Sequence, residues 1–233
     1  MKSGIKAGLI VLAAGSGNRF GHTTNKVWLP LSGRRIISRS ITNASKNFKH
    51  GRVVLVIHPG DEELARKTLE REVRGIDVEI VFGGLTRHES EYNALMYLAP
   101  AIRAGELEVV LIHDGARPLA TPALFTEIAE SALRHGGAIP TIAVDAYEME
   151  TLQKDKVVRV QTPQGFHAKD LLEAYIKAAS DGFTGTDTAA CMEKYFPEVK
   201  TVAISANVSN VKITYPQDLA IAEHVLAQRG YKD

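Results

Sequence analysis

Cysteine, tryptophan and surplus charge are what this sequence has least of: one Cys, one Trp, and 28 Lys and Arg against 27 Asp and Glu over 233 residues. A single thiol cannot close an internal disulfide, so Cys191 is expected as a small buried hydrophobe in a reducing compartment. A net charge of +1 supplies no global field for nucleic acid or an anionic membrane, so any anion binding must be local. No apolar run approaches the ~20 residues of a membrane-spanning helix. The N-terminal run AGLIVLAA ends in Gly15, Gly17 and Arg19 rather than a cleavage site, which favours a core strand over a secretory leader. The expectation is a cytoplasmic protein with no membrane and no nucleic-acid partner.

Several common chemistries are missing too. There is no G-x-S-x-G elbow, no H-E-x-x-H helix and no G-x-x-x-x-G-K-[ST] loop. A dinucleotide fingerprint needs a third glycine where Phe20 stands, with Gly21 one place late. Low-complexity segments, internal repeats and Pro/Gly/Ser-rich linkers are absent as well, so one domain over 1–233 is expected.

What is present is alternation. Apolar, β-rich runs recur at 7–14, 52–58, 78–82, 107–114, 137–144 and 199–205, and stretches of helical spacing lie between them. Strand alternating with helix predicts an α/β fold with a largely parallel, doubly wound sheet and helices on both faces. Thr121-Pro122 opens one helix and Gly136 closes it, while Tyr215-Pro216 opens the last. Residues 145–166 fit the alternation poorly and predict an excursion from the sheet.

Ligands of such sheets bind beyond the carboxyl ends of the strands, which singles out loops 13–30, 83–90, 113–118 and 205–212. In the first, Ala13, Ala14, Gly15 and Gly17 lack bulk, so backbone N–H groups can approach a polyphosphate, and Arg19 and Lys26 add positive charge. A solvated surface loop is the alternative for that stretch alone. In LIHDGARP, Asp114 ends an apolar strand where a carboxylate could hold a hard divalent cation, or could equally cap a turn, with Arg117 three residues on. His113 is expected to be structural, since no second ligand stands at zinc-like spacing. Gly83 and Gly84 end another strand, with Ser90 able to read a flat base edge or merely start a helix. Lys212 lies in NVKIT before the terminal helix, where an isolated lysine is ordinarily solvated.

Taken in order, LAAGSGNRFG, a later lysine, GGLTRHES, HDGARP, QTPQGF, TDTAA and NVKIT span nearly the whole chain. This set resembles the 2-C-methyl-D-erythritol 4-phosphate cytidylyltransferases of isoprenoid biosynthesis, together with the related ribitol 5-phosphate cytidylyltransferases. The resemblance implies a single-domain, Rossmann-like nucleotidyltransferase fold of GT-A type with a mostly parallel mixed sheet. It also implies a homodimer with a dimerisation arm, here shortened, at 145–161, CTP and a polyol phosphate as substrates, and Mg2+ as cofactor. By position, Ala13, Ala14, Gly15 and Gly17 would wrap the triphosphate, Gly84 and Ser90 would read cytosine, and Gly115 would lie against the ribose. Asp114 would hold the metal, and Arg19, Lys26 and Lys212 would surround the reacting phosphates. Arg117, Thr162, Thr186 and, in the arm, Lys154 would face the acceptor.

The implied reaction needs no acid/base dyad, because an anionic phosphate oxygen attacks the α-phosphorus of CTP directly, leaving positioning and charge stabilisation to the protein. Two alternatives stand beside a methylerythritol phosphate enzyme: another alditol phosphate such as ribitol 5-phosphate as acceptor, or a nucleotide-binding module with weakened catalysis. A dinucleotide-dependent dehydrogenase ranks below both, lacking the third glycine.

Overall fold

Strand β1 (Ala7–Ala13) sets the pattern for the whole domain, since its side chains alternate between two apolar layers. Leu9 and Val11 pack into one, Ile10 into the other. The computed structural model describes residues 4–15, 25–144 and 157–230. Beside β1 lie β4 (Arg52–Ile57) and β6 (Val109–Asp114), both parallel to it, and β5 (Val78–Phe82) lies outside β4. A two-residue hairpin, β2 (Pro30–Leu31) with β3 (Arg34–Arg35), precedes helix α1 (Ile36–Ser45).

Beyond β6 the sheet continues through β9 (Gln164–His167) to β7 (Gly136–Ala143) and β10 (Lys200–Ser205). The strand order is β10-β7-β9-β6-β1-β4-β5, and β9 runs antiparallel to both of its neighbours. The sheet is therefore mixed but mostly parallel, as expected.

Helices α1, α2 (Glu62–Glu72) and α4 (Pro122–His135) cover one face, burying Ile37, Ile41, Ala65, Phe125 and Ile128 with Leu55 and Leu111. Helices α3 (Arg87–Arg103), α5 (Ala168–Asp181) and α6 (Thr188–Tyr195) cover the other, burying Leu95, Leu98, Leu171 and Tyr175 with Val54 and Ile112. Cys191 is fully buried there, and burial pushes its thiol up to about 12, in keeping with an inert apolar role. The last helix, α7 (Pro216–Gln228), closes a smaller cluster of Leu31, Ile36, Leu119, Ile213 and Leu226.

The six anticipated strands form within two residues of their expected limits. The signals at α4 act as expected: Thr121 Oγ1 accepts from the Leu124 N–H, and Gly136 closes the helix at φ 99°, a conformation open to glycine. The excursion expected over 145–161 needs correction at its far end. Val158–Val160 forms strand β8, antiparallel to β7 with Val160 opposite Thr141, and β9 returns to the centre of the sheet. Residues 145–156 lie outside the described residues. The sequence hides β9 because QGFH is short and follows a proline. It holds its place through Phe166, fully buried over Gly137, where a Cβ would come within 2.6 Å of the ring.

Candidate active site

The alternation that builds β6 also sorts its last two residues. Val109 and Leu111 face the α1/α4 layer, so His113 does too, and its ring meets Phe125 edge-on at 4.8 Å between centroids. Val110 and Ile112 face the α3/α5 layer, so Asp114 opens towards the start of α3, from which Arg87 reaches it.

Three cations converge on Asp114, which is 6% exposed. Arg87 bonds Oδ1 through Nη1, Lys212 Nζ lies 2.9 Å from Oδ2, and Arg117 Nε lies 3.5 Å from Oδ2. Burial alone would raise the Asp114 pKa. Arg87, Lys212 and Arg117 outweigh it and hold the carboxyl well below the usual carboxylate range. Lys212 is delivered by a backbone bond, the Ile213 N–H to the Ala116 carbonyl at 2.9 Å, with Ile213 buried beneath α7. Arg117 donates from Nη1 to the Asn210 carbonyl at 2.7 Å, which fixes the loop after β10 against the loop after β6.

Neighbouring polar groups hold the strand end in place. Thr162 is 4% exposed, and its Oγ1 accepts from the Asp114 N–H at 3.0 Å and lies 3.1 Å from His113 Nδ1. His113 Nε2 faces the Arg117 carbonyl at 3.2 Å. A carbonyl only accepts, so the proton sits on Nε2, and the Thr162 hydroxyl donates to Nδ1. Burial depresses the His113 pKa to about 4, which keeps this neutral tautomer at physiological pH. Asn210 Nδ2 joins Gln161 Oε1 at 2.9 Å and the Thr162 carbonyl at 3.0 Å.

At the end of β1, Ala13 is buried, Ala14 half-buried and Gly15 exposed with open space where a Cβ would stand. Asn25 Nδ2 donates to the Ala13 carbonyl at 2.6 Å and begins a 3-10 turn, Lys26–Trp28. Val27 and Trp28 are buried, and Trp28 Nε1 donates to Asp61, so the turn anchors Lys26 beside the end of β1. Gly17 and Arg19 lie outside the described residues, as does Lys154.

The β5 loop comes so near the β1 loop that a Cβ on Gly83 would meet the Ala14 Cβ at 2.4 Å. Ser90 Oγ accepts from the Gly84 N–H at 3.1 Å and donates to the Thr86 carbonyl at 2.9 Å, fixing that loop's shape. Gly115 is wedged between the Leu12 carbonyl and Ile37. Thr186 is exposed just before α6, and Asp187 next to it caps α6 and accepts from Gln164 Nε2 at 2.9 Å.

The structure thus brings Asp114, Arg117, Thr162 and Lys212 into one contact network, and lays the Ala13–Gly15 and Gly83–Ser90 loops side by side. Thr162 has its hydroxyl committed to Asp114 and His113, so its side chain supports the strand end.

Sequence reasoning missed Arg87, Glu91 and Asn210. The signal for the first two was available: positions 87, 91, 94, 95, 98 and 102 make one helical stripe, apolar except for Arg87 and Glu91. Charges on a buried stripe demand partners. Arg87 Nε pairs with Glu91 at 2.8 Å, and Glu91 also receives the Tyr175 hydroxyl and, at 3.3 Å, the Thr188 hydroxyl. Among the described residues of this network, three cations face two carboxylates.

A Rossmann-like sheet whose carboxyl edge carries glycine-rich loops and a cation-ringed aspartate defines a nucleotidyltransferase. The family model described as "IspD: 2-C-methyl-D-erythritol 4-phosphate cytidylyltransferase" matches residues 7–228, and the chain belongs to that family. The 2-C-methyl-D-erythritol 4-phosphate cytidylyltransferase of Nostoc punctiforme is 38% identical over 232 residues, 95% of this chain and 99% of the relative. That of Geobacillus kaustophilus is 35% identical over 228 residues, 94% and 96% of the two chains. Among solved structures, the 4-diphosphocytidyl-2C-methyl-D-erythritol synthase of Anaerococcus prevotii superposes with a TM-score of 0.77 at 26% identity. That match covers 97% of this chain and all of the other.

Proposed function

We infer that this chain transfers CMP from CTP to 2-C-methyl-D-erythritol 4-phosphate, forming a CDP-alditol and pyrophosphate for isoprenoid precursor synthesis. The observation that carries this reading is the Asp114 cluster, an ionised carboxylate ringed by Arg87, Arg117 and Lys212 at the sheet edge where the glycine-rich loops meet. The acceptor's phosphate oxygen forms the new bond to the α-phosphorus, and the bond to the pyrophosphate oxygen breaks. Charge builds on the phosphorus oxygens, and Lys26, Lys212 and Arg19 offset it. Ala13, Ala14, Gly15 and Gly17 leave room for the triphosphate, Gly84 and Ser90 face cytosine, and Gly115 faces the ribose. Arg117, Thr186 and Lys154 face the acceptor phosphate, and Thr162 supports the end of β6 beside Arg117.

The donor set suits Mg2+. Among the described residues no three His, Cys, Asp or Glu side chains gather as a closed metal cage. One hard, ionised carboxylate combined with substrate phosphates is how Mg2+ is commonly held, and Asp114 offers that carboxylate. The ion supplies positive charge against the triphosphate. Asp114 would hold the ion, and Lys212, half-exposed 2.9 Å from Asp114 Oδ2, would face the phosphates beside it. We further propose that the enzyme is a cytoplasmic homodimer; among the described residues no helix is long and apolar enough to cross a membrane.

Pyrophosphate release from CTP and Mg2+, assayed with methylerythritol, ribitol, glycerol and erythritol phosphates, tests the reading. The expected result is release with methylerythritol 4-phosphate well above the others. Faster release with ribitol 5-phosphate would move the acceptor, and CTP binding by calorimetry without turnover on any acceptor would leave only a nucleotide-binding module. Light scattering on the eluting protein reads the dimer.

A further inference from the structure

Glu91 is 1% exposed, lies one layer behind the reacting edge, and is not called upon by the chemistry above. Its two oxygens take three side-chain donors from three helices. Oε1 accepts Arg87 Nε at 2.8 Å and Thr188 Oγ1 at 3.3 Å, and Oε2 accepts the Tyr175 hydroxyl. Arg87 then passes on to Asp114 through Nη1, while its Nη2 is buried without a partner among the described residues. A guanidinium that leaves N–H groups unmet is aimed by its two carboxylates, rather than by the fullest set of bonds available. On the other side, Thr188 is the first residue of α6, directly after Thr186 and Asp187. A second tether runs parallel to it, from the Gly185 N–H to His88 Nδ1 at 3.4 Å, with the His88 ring stacked on Tyr175 at 4.6 Å.

We propose that Glu91 is a positioning residue that holds the segment Gly185–Ala189 and the Asp114 cluster in one register, so that a single buried carboxylate aligns the acceptor side with the nucleotide side. The proposal rests on the reading of Thr186 as acceptor-facing for its kinetic consequence, but not for its structural one. Glutamine is the discriminating replacement: it keeps the shape, offers one accepting oxygen instead of two, and presents an NH2 group to donors. Either Arg87 and Thr188, which share Oε1, lose their acceptor together, or the NH2 group replaces Oε2 against Tyr175; in both cases Arg87 loses the negative charge opposite it. Thr188→Val removes only the acceptor-side branch.

Hydrogen exchange measured by mass spectrometry on the full chain reads the coupling without any substrate. Glu91→Gln is expected to speed exchange roughly tenfold at both 184–189 and 113–117, and Thr188→Val at 184–189 alone, with β1 and β4 unchanged in both. In steady-state assays, Thr188→Val is expected to raise the acceptor KM about tenfold while leaving the CTP KM within about twofold. Glu91→Gln is expected to raise the acceptor KM and lower kcat together. Exchange in Glu91→Gln that stays at the wild-type rate in either segment, or rises uniformly through β1 and β4, overturns the proposal. Should wild-type protein not turn over the alditol phosphate, the functional reading fails, and the exchange pattern still decides the role of Glu91.

Discussion

Asp114 and Glu91 share one guanidinium and are almost equally hidden, yet their surroundings drive them in opposite directions. Around Asp114, at the open carboxyl edge of the sheet, three cations outweigh burial and keep the carboxyl far below its ordinary range. Around Glu91, enclosed by α3, α5 and α6, burial dominates and pushes the carboxyl up, with Arg87 its one cationic partner among the described residues and Tyr175 and Thr188 supplying neutral donors. Depth alone therefore does not set the state of a buried acid; the count of cations facing it does. The first region holds charge available for an incoming ligand, and the second holds geometry.

Breaking the charged region outright should have the largest effect. Asp114→Asn leaves Arg87, Arg117 and Lys212 crowded together, and we expect kcat for pyrophosphate release to fall on the order of 10³-fold. Urea unfolding should show a loss of about 3–5 kcal/mol, as when one partner of a buried charge network is removed. Removing a cation is milder: Lys26→Ala and Lys212→Ala should each cost on the order of 10²-fold in kcat. For Lys212, whose side chain is 39% exposed, stability should change by less than about 1 kcal/mol. Near-wild-type turnover in either variant would remove that lysine from the reaction.

In the enclosed region, Tyr175→Phe deletes one donor to Glu91. It should cost about 1–3 kcal/mol of stability while leaving kcat within a few-fold, the reverse of the lysine pattern. The smallest effect is the most diagnostic. From pH 7 to 5, Asp114 is ionised both folded and unfolded, so the stability deficit of Asp114→Asn should stay flat. Glu91 has a raised folded pKa, so the folded state takes up its proton before the unfolded chain does. Wild-type stability should then gain relative to Glu91→Gln as pH falls through the raised folded pKa towards the ordinary carboxylate range. Parallel urea titrations of the three proteins at pH 7, 6 and 5 check both slopes.

Period-two and helical spacing made most of this architecture legible in the sequence. Six strands and the capped helix α4 declare themselves because each buries an apolar face by its own pattern. Strand β9 does not, since QGFH is too short to show a period and its place between β6 and β7 depends on Phe166 packing over Gly137. At the site, Asp114, Arg117, Lys26 and Lys212 stood out because charge follows a strand or glycine loop. Asn210 stood in NVKIT with no role of its own, because its role lies in bonds to Gln161 and Thr162 some fifty residues earlier in the chain. The bond from the Asp114 N–H to the Thr162 hydroxyl had no signal either, because the insertion of β9 creates it.

That insertion isolates one stretch of chain from the rest of the sheet edge. Because β7 ends just before residues 144–157 and pairs with β8 just after them, and β9 locks between β6 and β7 soon after, both ends of that stretch are fixed by sheet hydrogen bonds. The intervening stretch can lengthen, shorten or change sequence without moving Asp114, Arg117 or Lys212. On the proposed role of Lys154, a graft at 145–156 should therefore change the acceptor KM and leave the CTP KM in place.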